Sequence, residues 1–236
     1  MLILGLQKLT LLDFPGRLAC TVFLGGCNFR CPFCHNGSLV MDVDGANSIE
    51  VEDLLAFLDS RVGRLYGVCI SGGEPTLHHD LPNLLSEIKA RGFAVKLDTN
   101  GSNPEMLSEL IADGLVDYVA MDIKNSLEKY ELTIGATSEL GIRDLKLINR
   151  IKESAGLLME GRVDFEFRTT LVRELHTEDD ICAVGEWLAG EEKFFLQTYR
   201  DEGDLIVGGF SAFTKKETEH LLSILKTKIP NAKIRG

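Results

Sequence analysis

Short apolar runs alternate with amphipathic stretches along most of the chain. Strand-like runs fall at 17–24 (RLACTVFL), 67–71 (GVCIS), 93–98 (FAVKLD), 117–122 (DYVAMD), 163–171 (VDFEFRTTL) and 193–199 (KFFLQTY). Between them apolar residues recur at helical spacing. Val51, Leu54, Leu55, Leu58 and Val62 mark a helix over 51–62. Leu81, Leu84, Leu85 and Ile88 mark another over 80–91, with Asp80 as its cap and Gly92 as its stop. The same pattern predicts helices over 104–113, 142–155, 177–189 and 214–228. The strand–loop–helix unit thus repeats along the chain without a linker or a low-complexity tract. Such alternation predicts parallel strands joined by helical crossovers, in an open sheet or a barrel, within one domain.

Composition adds limits. The 236 residues suit one α/β domain. Hydrophobic content of 44% and charged content of 26% are ordinary for a soluble protein. A formal charge of -11 argues against a polyanionic partner, so nucleic acid is disfavoured. No apolar run approaches the roughly 18 residues of a membrane-spanning helix. The N-terminal MLILGLQKLTLLDF lacks a basic leading segment and meets Lys8 and Asp13, so it reads as part of the fold rather than as a signal peptide. With six cysteines in a chain large enough to need no staples, the setting reads as cytoplasmic and the clustered thiols as chemistry or metal binding. Cys20, Cys69 and Cys182, each inside a strand or helix, read as small core residues.

The unusual residues sit just after the strands. CNFRCPFCHN (27–36) follows the first, SGGEPT (71–76) the second, DTNG (98–101) the third and DIKNS (122–126) the fourth. In parallel α/β folds ligands bind at the carboxyl ends of strands, so four consecutive strands bring these segments to one rim. Singly, each has an ordinary reading. Two glycines after a strand make a turn, Asn-Gly suits a turn, and Asp122 with Lys124 could be a surface ion pair. The C-x3-C-x2-C spacing of Cys27, Cys31 and Cys34 is different, because three thiols on one glycine-rich loop point to a metal. Structural zinc wants four ligands. His35 adjoins Cys34 and would diverge from it, while His78, His79, His176 and Cys20 lack paired-ligand spacing. A closed electron-transfer cluster wants four thiolates. Three leave one iron open.

An iron–sulfur cluster with one open iron on a barrel rim is the arrangement of the radical SAM enzymes, and this sequence resembles them over almost its whole length. The resemblance implies a partial (β/α)6 TIM-type barrel. Residues 1–16 would be an N-terminal extension, 17–199 the six β/α repeats, and 200–236 a C-terminal loop and helix. It implies that Cys27, Cys31 and Cys34 hold a [4Fe–4S] cluster whose fourth iron chelates S-adenosylmethionine. It also implies that Phe33 lies beside the adenine and that Gly72, Gly73 and Glu74 contact the methionyl amino group. Glycine suits that place because backbone must approach the ligand closely.

A narrower resemblance is to the glycyl-radical-enzyme activating enzymes. It rests on LDFPGR (12–17), CNFRCPFCHN, SGGEPT, DTNG, DIK and FRTTLV (167–172) in their expected order. Within this group the sequence looks closest to activating proteins of anaerobic ribonucleoside-triphosphate reductase. Similarity to the pyruvate formate-lyase activating enzyme implies roles around the cofactor for Asn36, Asp98, Thr99, Asp122 and Lys124. It further implies that Asp98, Thr99 and Asp122, with the cofactor carboxylate, can surround a monovalent cation. Asp13 and Arg168 match a pair that can join when the peptide substrate is absent. One departure is that a histidine near the end of the sixth strand is replaced by LQTYR, leaving Gln197 or Tyr199 to substitute.

The implied reaction begins with one-electron reduction of the sulfonium and homolysis of its S–C5′ bond. A 5′-deoxyadenosyl radical then takes a hydrogen atom from a glycine Cα of a partner enzyme. The partners implied are a glycyl-radical enzyme and a flavodoxin or ferredoxin electron donor. The cofactor carries the difficult chemistry, so the absence of a histidine–carboxylate constellation is expected. Two other readings stand beside this one: a small-molecule radical SAM enzyme of the 7-carboxy-7-deazaguanine synthase kind, and a non-catalytic cluster-binding module.

Overall fold

The computed structural model describes residues 1–41, 48–136, 145–191, 193–201 and 203–235. Its six predicted strands are β2 (Ala19–Leu24), β3 (Gly67–Gly72), β4 (Ala94–Thr99), β5 (Tyr118–Asp122), β6 (Asp164–Leu171) and β7 (Phe194–Thr198). They pair in chain order and in parallel. Two more strands extend the sheet beyond the six repeats. The expected N-terminal extension contributes β1 (Ile3–Thr10), antiparallel to β2, and the last residues contribute β8 (Lys233–Arg235), parallel to β7. Neither announced itself by strand-like alternation: β1 exposes the consecutive residues Gln7, Lys8 and Leu9, and β8 is only KIR. The order β1 to β8 leaves both edges unjoined, so the sheet is an incomplete, mostly parallel barrel in one domain.

Helices cover one face of the sheet. Val51–Asp59 buries Leu54 and Leu58, Leu81–Ala90 buries Leu81, Leu84, Leu85 and Ile88, and Pro104–Ala112 buries Leu107 and Leu110. These are the apolar stripes of the sequence pattern, turned onto strand residues such as Val95, Leu97, Val119 and Phe167, which are fully buried. Asp80 occupies the cap position but makes no side-chain capping bond, whereas Gly92 adopts φ 84° where the helix stops. The helices Glu178–Trp187 and Lys215–Leu225 begin on Thr177 and Thr214, each in a reciprocal capping box. The predicted helix over 142–155 is present as Leu145–Met159; positions 142–144 lie outside the described residues. Among the described residues no helix is long and apolar enough to cross a membrane.

Side chains alternate between faces of a strand, and the other face is not apolar. Lys96 and Asp98 of β4, Asp122 of β5 and Arg168 of β6 meet there in direct contacts, and Glu166 of β6 pairs with Arg235 of β8. A charged layer inside the sheet's curve is what positions the site.

Candidate active site

The loop after β2 carries three thiols. All six cysteines are free; Cys31 is buried, Cys27 and Cys34 are half-buried, and Cys20 and Cys69 lie fully buried in their strands. Cys182, expected in the core, is only half-buried. The Cys34 amide donates to the Cys31 carbonyl at 3.0 Å, and the Phe29 amide points at Cys27 Sγ at 3.4 Å. Cys27, Cys31 and Cys34 border one cavity of about 240 Å³. The other three rim segments add Gly72, Gly73, Asp98, Asp122 and Lys124 to its wall, and β6 and β7 add Arg168 and Gln197. Burial pushes the Cys31 thiol up to about 12, against the opposing pull of the Lys124 ammonium. Burial raises Cys27 as well.

A strap from late in the chain holds this loop. The Gly37 amide donates to the Asp204 carbonyl at 2.8 Å, and the Ser38 amide to Asp204 Oδ2 at 2.5 Å. The Ile206 and Val207 amides donate to the carbonyls of Cys34 and Pro32, at 3.3 and 2.9 Å. His35 does not join the thiols; its Nε2 lies 2.6 Å from the Arg200 carbonyl. His78 lies 2.9 Å from the Gly25 carbonyl, and His176 is buried between Val172 and Lys124. Among the described residues no three Cys, His, Asp or Glu side chains converge on a single ion.

The SGGEPT segment crosses the root of the cysteine loop at backbone contact. The Gly73 amide donates to the Leu24 carbonyl and the Glu74 amide to the Gly26 carbonyl, both at 2.8 Å. Asn36 Nδ2 donates to the Gly72 carbonyl at 2.9 Å. A methyl group built on Gly73 would lie 1.9 Å from the Gly26 carbonyl oxygen. Glycine is therefore required here by the packing of two backbones.

Glu74 borders the cavity with Gly72 and Gly73, and its carboxylate, 1% exposed, is held by the surrounding loops. Oε1 accepts from the Thr76 amide, the Thr76 hydroxyl and the Thr99 hydroxyl at 3.1, 2.6 and 2.8 Å. Oε2 accepts from the Asn100 amide at 2.6 Å. Burial works to raise its pKa while the four donors oppose. Glu74→Gln will set an amide NH2 against these donors, so urea unfolding of the metal-free protein should show a loss of about 1–3 kcal/mol.

Asp98 and Asp122 belong to a ladder of ion pairs. Arg168 Nε donates to Asp122 Oδ1 at 2.9 Å, and its Nη1 lies 3.6 Å from Asp98 Oδ1. Lys124 Nζ donates to Asp122 Oδ2 at 2.9 Å, Ser71 Oγ to Asp98 Oδ2 at 2.9 Å, and Lys96 Nζ to Asp98 Oδ1. Burial disfavours the Asp122 carboxylate, but the charges of Arg168 and Lys124 outweigh it and hold its pKa at about 2. Asp98 is lowered in the same way, burial being overcome by Arg168 and Lys96. The expected joining of Asp13 with Arg168 is not seen. Arg168 is taken by Asp122 and Asp98, and Asp13 Oδ2 accepts from the Thr21 hydroxyl at 2.5 Å.

Phe33 is 4% exposed and borders the cavity, as do Thr99, Arg168 and Gln197. Tyr199 does not border it. β7 ends at Thr198, the strand alternation lapses, and the Tyr199 hydroxyl turns to Asp201 Oδ1 at 3.2 Å with its ring against His35. Of the two candidates for the missing histidine, Gln197 is the one at the cavity.

Four residues at the site went unread in the sequence. Ser71 and Lys96 hold Asp98, while Asn28 and Asn100 hydrogen-bond each other at 2.9 Å beside Cys27. A signal for Lys96 existed: it stands two residues before Asp98 on a strand flanked by helices, so both share one face.

The chain matches the model of the radical SAM superfamily over residues 21–154. It is 31% identical over 237 residues to a Methanocaldococcus jannaschii protein named as a glycyl-radical enzyme activating enzyme, covering 99% of this chain and 95% of that one. It is 36% identical over 109 residues to the 7-carboxy-7-deazaguanine synthase of Neisseria meningitidis, covering 46% of this chain and 45% of that one. Among solved structures, Streptococcus suis SuiB bound to S-adenosylmethionine superposes with a TM-score of 0.66 at 15% identity. That match covers 92% of this chain and 52% of the longer SuiB chain, so it speaks to the fold alone.

Proposed function

The chain belongs to the radical SAM superfamily, and from that premise we propose that it is an activase that generates a glycyl radical in a partner enzyme. The observation that carries the proposal is the shared cavity: three free thiols on one wall, Gly72–Gly73 and the Asp98–Asp122–Lys124 ladder on the others. The donor set suits an iron–sulfur cluster, since thiolates are the ordinary protein ligands of such clusters. Cys27, Cys31 and Cys34 would hold it. When bound, the cluster and S-adenosylmethionine supply the one-electron cleavage that yields a hydrogen-abstracting 5′-deoxyadenosyl radical.

The protein's own residues bind, orient and shield. Lys124 and Arg168 present positive charge to a carboxylate, while Asp122 and Asp98, the latter held from behind by Lys96, face the opposite charge of an amino group or a sulfonium. Phe33 gives the cavity an aromatic wall suited to a nucleobase. Gln197, near the end of β7, is a neutral hydrogen-bonding group on the cavity wall. A reaction by hydrogen-atom transfer asks for no proton relay, in keeping with a cavity that holds no histidine–carboxylate pair among the described residues.

Similarity over nearly the full length of an activating-enzyme relative favours a protein substrate over the deazaguanine reading, which rests on about half of either chain. The partner proposed is an anaerobic ribonucleotide reductase, with a flavodoxin or ferredoxin as electron donor. The test is anaerobic reconstitution with iron and sulfide, reduction, and incubation with S-adenosylmethionine and an anaerobic ribonucleotide reductase. The expected result is 5′-deoxyadenosine together with a glycyl-radical doublet by electron paramagnetic resonance. Cleavage with turnover of a deazaguanine precursor and no protein radical would establish the second reading. One equivalent of zinc with no uptake of iron would indicate a binding module.

A further inference from the structure

Asp98, Thr99 and Asp122 were expected to surround a monovalent cation, and their side chains do not fit one. Both oxygens of Asp98 are engaged, Oδ1 by Lys96 and Arg168 and Oδ2 by Ser71. Both oxygens of Asp122 are engaged by Arg168 and Lys124. The Thr99 hydroxyl donates to Glu74 Oε1 at 2.8 Å and accepts from the Gly101 amide at 3.1 Å. An incoming cation would have to share every one of these oxygens with a protein donor, and at the two carboxylates with charged ones.

Lys96 is the group that changes the balance. It projects from β4 on the same face as Asp98, its side chain is 2% exposed, and its Nζ contacts Asp98 Oδ1 and lies 3.7 Å from Cys69 Sγ. The ladder of direct contacts therefore holds three protein cations, Lys96, Lys124 and Arg168, against two carboxylates, Asp98 and Asp122. Asp13, on Thr21, and Glu74, on backbone amides and hydroxyls, stand outside these contacts. One positive charge is left over before any ion binds. That surplus offers a partner to an amino-acid carboxylate, and an added alkali ion would double it in a buried place where unpaired charge is costly.

We propose that Lys96 is a built-in cation of this site, a positioning residue that holds Asp98 in the role a bound potassium or sodium ion would otherwise fill. The inference rests on the reading of the cavity as an S-adenosylmethionine site. It makes that site independent of alkali ions.

The test uses the reconstituted protein in buffers whose only small monovalent cation is tetramethylammonium, with and without added potassium. For the native chain, S-adenosylmethionine affinity by calorimetry should agree within about twofold between the two buffers, and so should the rate of 5′-deoxyadenosine formation. For Lys96→Met, affinity in tetramethylammonium should fall at least about tenfold, equivalent to about 1.4 kcal/mol, and recover on adding potassium. The metal-free variant should also melt at a higher temperature with potassium than without, whereas the metal-free native chain should not shift. A native chain that binds the cofactor only with potassium or sodium would overturn the proposal. A folded Lys96→Met whose affinity and melting ignore potassium would do so too. If Lys96→Met does not fold, the native-chain comparison decides alone. A native chain that binds no S-adenosylmethionine in either buffer would remove the cofactor reading itself, an outcome separate from potassium dependence.

Discussion

Cys31→Ala protein, reconstituted anaerobically with iron and sulfide, will lack the broad visible absorption of an iron–sulfur cluster and will cleave S-adenosylmethionine no faster than background. Cys31 is the most buried of the three loop thiols, at 6% exposure, and stands between the other two in the sequence. Removing it leaves Cys27 and Cys34 as the only cysteines that border the cavity. Two thiolates hold a four-iron cluster poorly, and the adjacent histidine, His35, is committed to the Arg200 carbonyl. The substitution deletes one sulfur atom from a small side chain, so the loss of folding stability should stay near 1 kcal/mol. Absorption spectra, iron content and 5′-deoxyadenosine formation read the effect, with circular dichroism as the control for folding. Colour and cleavage retained at native levels would remove Cys31 from the cluster.

Gly73→Ala is expected to damage both fold and site, with a loss of roughly 3 kcal/mol in unfolding free energy. The added methyl would collide with the Gly26 carbonyl, a backbone atom that cannot rotate away as a side chain could. Relief would require the SGGEPT segment to retreat from the cysteine loop, breaking the paired bonds from Gly73 to Leu24 and from Glu74 to Gly26. Since both segments wall the same cavity, iron retention and cofactor affinity should fall along with stability. Gly92→Ala is the control. Gly92 has positive φ but nothing within 4 Å of its added carbon, so that change carries backbone strain without a collision and leaves the cavity unaltered. Equal iron loss in both variants would mean that the contact between the loops is not what matters.

Much of the architecture was legible because two periodicities dominate the chain. Helical stripes such as Leu81–Leu84–Leu85–Ile88 and strands such as GVCIS announce which face is buried against which. The strands at the two edges were not legible. β1 mixes apolar and polar residues without clean alternation, and β8 has three residues, so pairing with β2 and β7 rather than local pattern makes them strands. The rim segments could be placed together from topology alone. Their internal geometry could not. The setting of the Glu74 carboxylate depends on four donors from two different loops, and Tyr199, one residue past the end of β7, turns to Asp201 and His35 instead of the cavity. Lys96 escaped notice for a physical reason as well: a lysine within an apolar strand reads as an interruption until its partner on the same face is known.

The strap of residues 204–207 across the cysteine loop bears on how the chain can be dissected. All three cluster thiols lie within the first 34 residues, and a shortened fragment would still contain every one of them. Yet Pro32, Cys34, Gly37 and Ser38 take hydrogen-bond partners from residues 204–207, some 170 positions later. Grafting the cysteine motif onto another scaffold would transfer the ligands without the frame that sets their spacing. The smallest portable unit of this centre is therefore almost the entire polypeptide.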